Sequence, residues 1–162
     1  MAKIAILAGE PSGDLIASQL MAFIKNKDKT IKFIEFVRKK INKIDKFIYA
    51  ASSTCYGLIE KKTKENDKIN IQHPYAFSKY IGEQSVLHWG KVYNLPIISI
   101  RIFNAYGPRS RTNNAYGAVM GVFLKQKIQN HPLTIVGNGL QKRDFLYVAD
   151  LCDAFYKAAI SN

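Results

Sequence analysis

Residues 30 to 51 read Thr-Ile-Lys-Phe-Ile-Glu-Phe-Val-Arg-Lys-Lys-Ile-Asn-Lys-Ile-Asp-Lys-Phe-Ile-Tyr-Ala-Ala. Ile31, Ile34, Val37, Ile41 and Ile44 recur at three- and four-residue steps with lysines between them, the pattern of a helix that buries one face. Phe47-Ile48-Tyr49-Ala50-Ala51 follows as a short apolar run of strand length. A helix feeding directly into a buried strand is the repeating step of a doubly wound parallel sheet. This stretch therefore sets the class as α/β.

Upstream, residues 3 to 8 are apolar and β-branched and predict a buried strand. Gly9 to Asp14 predicts a turn. Leu15, Ile16, Leu20 and Phe23 place a helix from Asp14 to about Lys25, and 26 to 29 form a connector. Downstream, Gly57 to His73 is charged and aperiodic and predicts a loop. Pro74 precedes a long helix from Tyr75 to about Tyr93, which Asn94-Leu95-Pro96 ends. Ile97 to Ile102 predicts a second strong strand, and Tyr106 to Tyr116 a binding loop. A helix over 118 to 130, a strand over Leu133 to Val136, a tight turn at Gly137-Asn138-Gly139, a strand over Phe145 to Val148 and a helix from Asp150 to Ile160 complete the chain.

The 162 residues make one domain, or one domain with a fragment of another. A hydrophobic share of 48% is enough for a core. No apolar run reaches the ~20 residues of a membrane-spanning helix. The opening stretch is too short for a signal peptide, so a cytoplasmic location is expected. Cys55 and Cys152 are both flanked by core-like residues and read as buried thiols. His73, His88 and His131 show no ligand spacing, so no metal is expected. The formal charge is +12. Its lysine clusters at 25 to 32, 38 to 46 and 61 to 64 read as solvated faces. Aromatics do not interleave with them as a nucleic-acid platform requires, so neither nucleic acid nor membrane is an expected partner.

Tyr75 and Lys79 lie four apart on the long helix and so share a face. A tyrosine near its usual pKa of ~10 is a poor base, and a neighbouring ammonium favours its phenolate. Such a phenol suits acid/base work on a hydroxyl. Ser52 sits at the C-terminal end of the strand beginning at Phe47, where a doubly wound sheet opens its ligand crevice. Alternatively, the serines simply make the strand exit turn, and the tyrosine and lysine belong to an ordinary amphipathic helix.

Four motifs occur together and in order: Ala51-Ser52-Ser53-Thr54-Cys55-Tyr56-Gly57, Tyr75-Ala76-Phe77-Ser78-Lys79, Arg101-Ile102-Phe103-Asn104-Ala105-Tyr106-Gly107-Pro108-Arg109 and Arg143-Asp144-Phe145-Leu146-Tyr147-Val148-Ala149-Asp150. Over about residues 29 to 162 the chain resembles the NAD-dependent nucleotide-sugar epimerases and dehydratases of the extended short-chain dehydrogenase superfamily. The resemblance implies an incomplete Rossmann-like doubly wound parallel sheet with part of a small substrate-binding subdomain. It implies Ser52, Tyr75 and Lys79 as catalytic residues, with Tyr75, Lys79 and Phe103 beside NAD. It implies Ser52, Asn104, Val119, Thr134 and Arg143 as substrate contacts, with a salt bridge from Arg143 to Asp144 or Asp150 as the alternative for that residue. A UDP-sugar is the implied substrate, and a homodimer through the helices at 30 to 44 and 75 to 93 is the implied assembly. Dehydratases of the family carry Asp-Glu where this chain has Ser53-Thr54, so the resemblance leans towards the UDP-glucose 4-epimerases.

The resemblance breaks at the start. The family opens on Gly-x-x-Gly-x-x-Gly, whose glycines let the backbone approach a pyrophosphate. Here only Gly9-Glu10-Pro11-Ser12-Gly13-Asp14 follows the first strand, and no ribose-binding acid can be placed; Glu35 lies inside a helical pattern. Residues 1 to 25 instead resemble the N-terminus of lipid-A-disaccharide synthases. The chain thus divides into a strand-turn-helix unit of different apparent origin (1 to 28) and a partial epimerase-like domain (29 to 162). Three readings follow: a nucleotide-sugar epimerase in truncated or chimeric form, a non-catalytic nucleotide-sugar-binding remnant of one, and a fragment of a lipid A glycosyltransferase.

Overall fold

The computed structural model describes residues 4–8, 29–40, 43–58, 61–108, 110 and 119–161. The turn at 9 to 14, the helix placed at 14 to 25 and most of the loop at 106 to 116 lie outside them. Strand β1 (Ile4–Ala8), helix α1 (Lys29–Lys40), strand β2 (Lys46–Ser52), a 3-10 turn (Ser53–Tyr56), helix α2 (Pro74–Tyr93) and strand β3 (Ile97–Ile102) come first. Strand β4 (Asn104–Tyr106), helix α3 (Val119–Ile128), strand β5 (Phe145–Tyr147) and helix α4 (Val148–Ile160) follow.

β1, β2 and β3 form a parallel sheet in that order, with Ile6 opposite Ile48 and Tyr49 opposite Ser99. β4 and β5 form a second, two-stranded parallel sheet. Helix α4 packs against strands of both. The core lies where the sequence pattern placed it. Ile34 and Val37 of α1 and Val86 of α2 close on Phe47, Tyr49 and Ala51, the alternate residues of β2 that share one face. Ile48 and Ala50, on the opposite face, are buried too. Burial on both faces explains why β2 is apolar without alternation.

The long helix has well-defined ends. The ring Nδ1 of His73 accepts the Ala76 N–H at 3.2 Å, and Pro74 follows, where a missing N–H costs nothing. Asn94 adopts a left-handed φ of 51° and returns its N–H to the Gly90 carbonyl, stopping the helix. The Leu95 N–H bonds the same carbonyl. The chain then enters β3, and the Phe47 N–H donates to the Pro96 carbonyl at 2.9 Å.

Several sequence expectations need correction. Residues 133 to 136 are not a strand. Leu133, Ile135 and Val136 have a strand's composition but are exposed, and no strand among the described residues pairs with them. The Gln126 side chain instead pins this segment to α3, donating to the Thr134 hydroxyl at 2.6 Å and accepting the Thr134 N–H. β4 was not expected, since Asn-Ala-Tyr carries no strand pattern; its pairing with β5 creates it. Helix α1 is described only to Lys40, and Ile44 reaches the core from the connector before β2. Cys55 is buried as expected, but Cys152 is exposed on α4.

A Cβ built on Gly82 of α2 would lie 2.1 Å from the Tyr49 hydroxyl and 3.0 Å from the ring carbon that bears it. Alanine there gains about 1 kcal/mol in helix propensity. Overpacking costs about 1–3 kcal/mol, and the larger figure applies because Tyr49 is buried and cannot swing aside. Gly82→Ala should therefore lower the urea midpoint at an unchanged denaturant slope. Adding Tyr49→Phe removes the clashing oxygen and should recover part of the loss.

Candidate active site

Burial separates Lys79 from solvent more than an ordinary surface lysine. Its Nζ donates to the Ala50 carbonyl of β2 and lies 5.1 Å from the centre of the Tyr49 ring. Removing the ammonium from water pulls its pKa down to about 8, against the pull of the Glu83 carboxylate, which favours the charge. Tyr49 returns a hydrogen bond from its hydroxyl to the Lys79 carbonyl at 3.4 Å. Burial pushes the Tyr49 phenol up to about 12, and the charges of Glu83 and Tyr75 add to the rise. Tyr49 is thus held neutral. Tyr75, one turn before Lys79, is half-buried and stacks with His73 at 6.3 Å between ring centres.

Glu83, one turn beyond Lys79, is 3% exposed. It accepts the Ser99 hydroxyl at 2.9 Å and Arg101 Nε at 3.0 and 3.1 Å. Arg101 Nη1 in turn donates to the Tyr56 hydroxyl at 2.6 Å and the Glu65 carbonyl at 3.1 Å. Burial works against the Arg101 charge, but the bonds to Tyr56 and Glu83 more than offset it and raise its pKa. Neither Glu83 nor Ser99 was singled out from the sequence. The signal available was the arginine in Ile97-Ile-Ser-Ile-Arg-Ile102: a cation inside an apolar strand calls for an anion nearby.

Ser52 ends β2 and is buried. Its Oγ lies 2.9 Å from the Thr54 hydroxyl and accepts the Thr54 N–H at 3.3 Å, so it caps the 3-10 turn. Beside that turn lies a cavity of about 750 Å³. Its walls bring Phe103, Asn104 and Arg143 together with Ser53, Thr54 and the loop lysines Lys61 and Lys62. The Asn104 amide donates to the Asp144 carbonyl at 2.9 Å, tying β3's exit to the segment before β5. Arg143 donates to the Lys142 carbonyl at 2.8 Å rather than forming the salt bridge weighed for it. Ser52, Tyr75 and Lys79 are not among the cavity's lining residues, and neither are Val119, at the start of α3, and Thr134, bound to Gln126. Among the described residues, no three His, Cys, Asp or Glu side chains could hold a metal ion, and no helix is long and apolar enough to cross a membrane.

Residues 4–161 match the family model of the NAD dependent epimerase/dehydratase family, and the chain belongs to that family. The match takes in the opening strand assigned above to a different origin. An uncharacterized UDP-glucose epimerase of Bacillus subtilis (strain 168), YtcB, is 36% identical over 107 residues, 66% of this chain and 33% of its own length. The UDP-N-acetylglucosamine 4-epimerase of Methanobrevibacter ruminantium M1, solved with UDP-N-acetylmuramic acid, superposes with a TM-score of 0.87 at 29% identity. That superposition covers 99% of this chain and 52% of the other. The UDP-glucuronic acid 4-epimerase of Bacillus cereus, solved with UDP-glucuronic acid and NAD, gives 0.74 at 32% identity, over 82% of this chain and 40% of the other. The fold is thus Rossmann-like α/β, and the chain spans between a third and about half the length of these relatives.

The lowered Lys79 value has a consequence for stability. The folded lysine releases its proton near pH 8, the unfolded one near 10.5. Between these values the unfolded chain holds more protons, so stability rises with pH. The contribution is complete above 10.5 and is lost as pH falls through 8. Tyr49 acts in the opposite sense, but only above pH 10. Urea unfolding at pH 7 and pH 9.5 should therefore show a gain at the higher pH that Lys79→Met reduces.

Proposed function

We propose that this chain carries the acid/base machinery and part of the substrate cleft of an NAD-dependent nucleotide-sugar 4-epimerase. The carrying observation is the half-buried Lys79 ammonium one helical turn from Tyr75, at the end of β2 where the crevice of a parallel sheet opens. The family and the UDP-sugars in its solved relatives support a UDP-sugar substrate.

The residues present fit a nicotinamide cofactor. The donor set of Lys79 and Tyr75 matches ribose hydroxyls, and Phe103 at the end of β3 offers an apolar wall. NAD, when bound, supplies the hydride acceptor and donor. Tyr75 then takes the proton of the sugar's C4 hydroxyl and returns it to the inverted product. Lys79 stabilises the phenolate through its charge. Ser52 orients the same hydroxyl once its bond to Thr54 opens. Asn104 and Arg143 clamp the diphosphate, a task suited to guanidinium geometry, and Val119 and Thr134 border the nucleotide. Ser53 and Thr54, in place of the acidic pair of dehydratases, leave epimerisation as the reaction. In this reading β1 (Ile4–Ala8) adds a strand beside β2 to the sheet built by the rest. A second copy of the chain covers α1 and α2, where Phe36, Phe77 and Ile81 are exposed.

One observation favours a second reading, a nucleotide-sugar-binding module without turnover. The cavity gathers Phe103, Asn104 and Arg143 but not Ser52, Tyr75 or Lys79.

Calorimetry with NAD+ and UDP-glucose on the purified chain separates the two. The epimerase reading expects both to bind and Tyr75→Phe to slow C4 epimerisation by about 10²–10⁴-fold while leaving UDP-sugar affinity unchanged. Binding of UDP-glucose alone, with no turnover, selects the binding module. Binding of neither overturns both.

A further inference from the structure

Helix α2 carries three ionisable side chains at four-residue steps: Tyr75, Lys79 and Glu83. The first two are accounted for above; Glu83 touches neither the cavity nor any candidate substrate contact. A carboxylate 3% exposed in an apolar core is expensive unless paired. Glu83 has two partners on β3, Ser99 and Arg101, both on the face that Tyr49 and Ala51 share through the β2–β3 register. Arg101 continues outward to Tyr56 of the 3-10 turn and to the backbone of Glu65 in the loop. Lys61 and Lys62 of the same loop line the cavity.

We propose that Glu83, braced by Arg101, is a positioning residue that keeps Lys79 charged and ties the helix bearing Tyr75 to the loop that walls the cavity. This role rests on the reading of Tyr75 and Lys79 as the acid/base pair. Among the described residues, the groups facing Lys79 make Glu83 the anion available to it. β2 contributes the Tyr49 phenol, held neutral, and the Ala50 carbonyl. α2 contributes Tyr75 in the preceding turn and Glu83 in the following one. β3 contributes only Arg101, a cation already engaged with Glu83. From the 3-10 turn comes the Cys55 thiol, pushed up by burial. Glu35 of α1 meets α2 two turns further on, at Trp89, and is paired with Arg38 and Lys39. His73 lies beyond Tyr75 at the helix start, capping it.

Glu83→Gln keeps the size and an acceptor for Ser99 but removes the charge and leaves Arg101 unneutralised. Both changes disfavour the Lys79 ammonium, so its titration should move below its value near 8. Ser99→Ala removes one hydrogen bond to Glu83 and keeps its charge, so Lys79 should titrate as in the parent chain. The titration is read directly from the lysine side-chain carbon resonance of the full chain, assigned with Lys79→Met. This readout needs neither cofactor nor substrate, so it stands even where NAD+ and UDP-glucose fail to bind. A downward shift in Glu83→Gln with none in Ser99→Ala supports the proposal. An unchanged Lys79 in Glu83→Gln overturns it, and equal shifts in both variants reduce Glu83 to a packing role and overturn it as well. If Glu83→Gln does not fold, Arg101→Lys provides the second test. It keeps the cation but gives up the forked contact with Tyr56 and Glu65. Increased hydrogen exchange of the 61–70 amides supports the tie to the loop, and unchanged exchange overturns it.

Discussion

Helix α2 carries no side chain at Gly82, and the Tyr49 phenol of β2 fills the space that a Cβ would need. The contact sets how near the helix comes to the sheet, and other distances follow from it. At this separation Lys79 reaches the Ala50 carbonyl and Glu83 reaches Ser99 and Arg101 on the neighbouring strand. A larger residue at position 82 would press on Tyr49 and loosen the helix's seat, and with it the contacts of Lys79 and Glu83. The residues of the acid/base face are therefore placed by how closely the helix at Gly82 sits on the Tyr49 phenol.

The core and the site were legible in the sequence to different depths. Ile34, Val37 and Phe47 to Ala51 sit where periodicity placed them, because a buried helix face and a doubly covered strand both leave strong local patterns. Pro74 and Asn94 marked the ends of α2 for equally local reasons. β4 and the segment 133–136 show the opposite case. Asn104-Ala-Tyr106 has no strand composition and pairs with β5; Leu133-Thr-Ile-Val136 has the composition and pairs with nothing described. Strand identity here is decided by a partner far along the chain, which composition does not report.

Glu83 was hidden for a related reason. A glutamate in an amphipathic helix ordinarily marks the solvated face, and only the arginine on β3 turns it inward. Cys152 errs the other way: its apolar neighbours on α4 suggested burial, yet it lies on the exposed side. The lysine clusters also divide. Among the described members Lys32, Lys39, Lys43 and Lys64 are exposed, while Lys61 and Lys62 line the cavity with Lys142 and Arg143, against Asp144 alone among acids. Local charge density of this kind draws anions into a cleft, and it comes from two segments some eighty residues apart that no linear reading would have joined.

The placement of Ser99 and Arg101 on β3 has a bearing on how the sheet finds its alignment. Ile98, Ile100 and Ile102 occupy one side of that strand and the two polar residues the other, so sliding β3 by a single position against β2 would invert both sides. Such a slip would drive a guanidinium into hydrocarbon and turn three isoleucines towards Glu83. For a purely apolar strand the same shift would exchange one greasy surface for another at little penalty. The polar pair thus ties the register of the sheet to the position of the long helix.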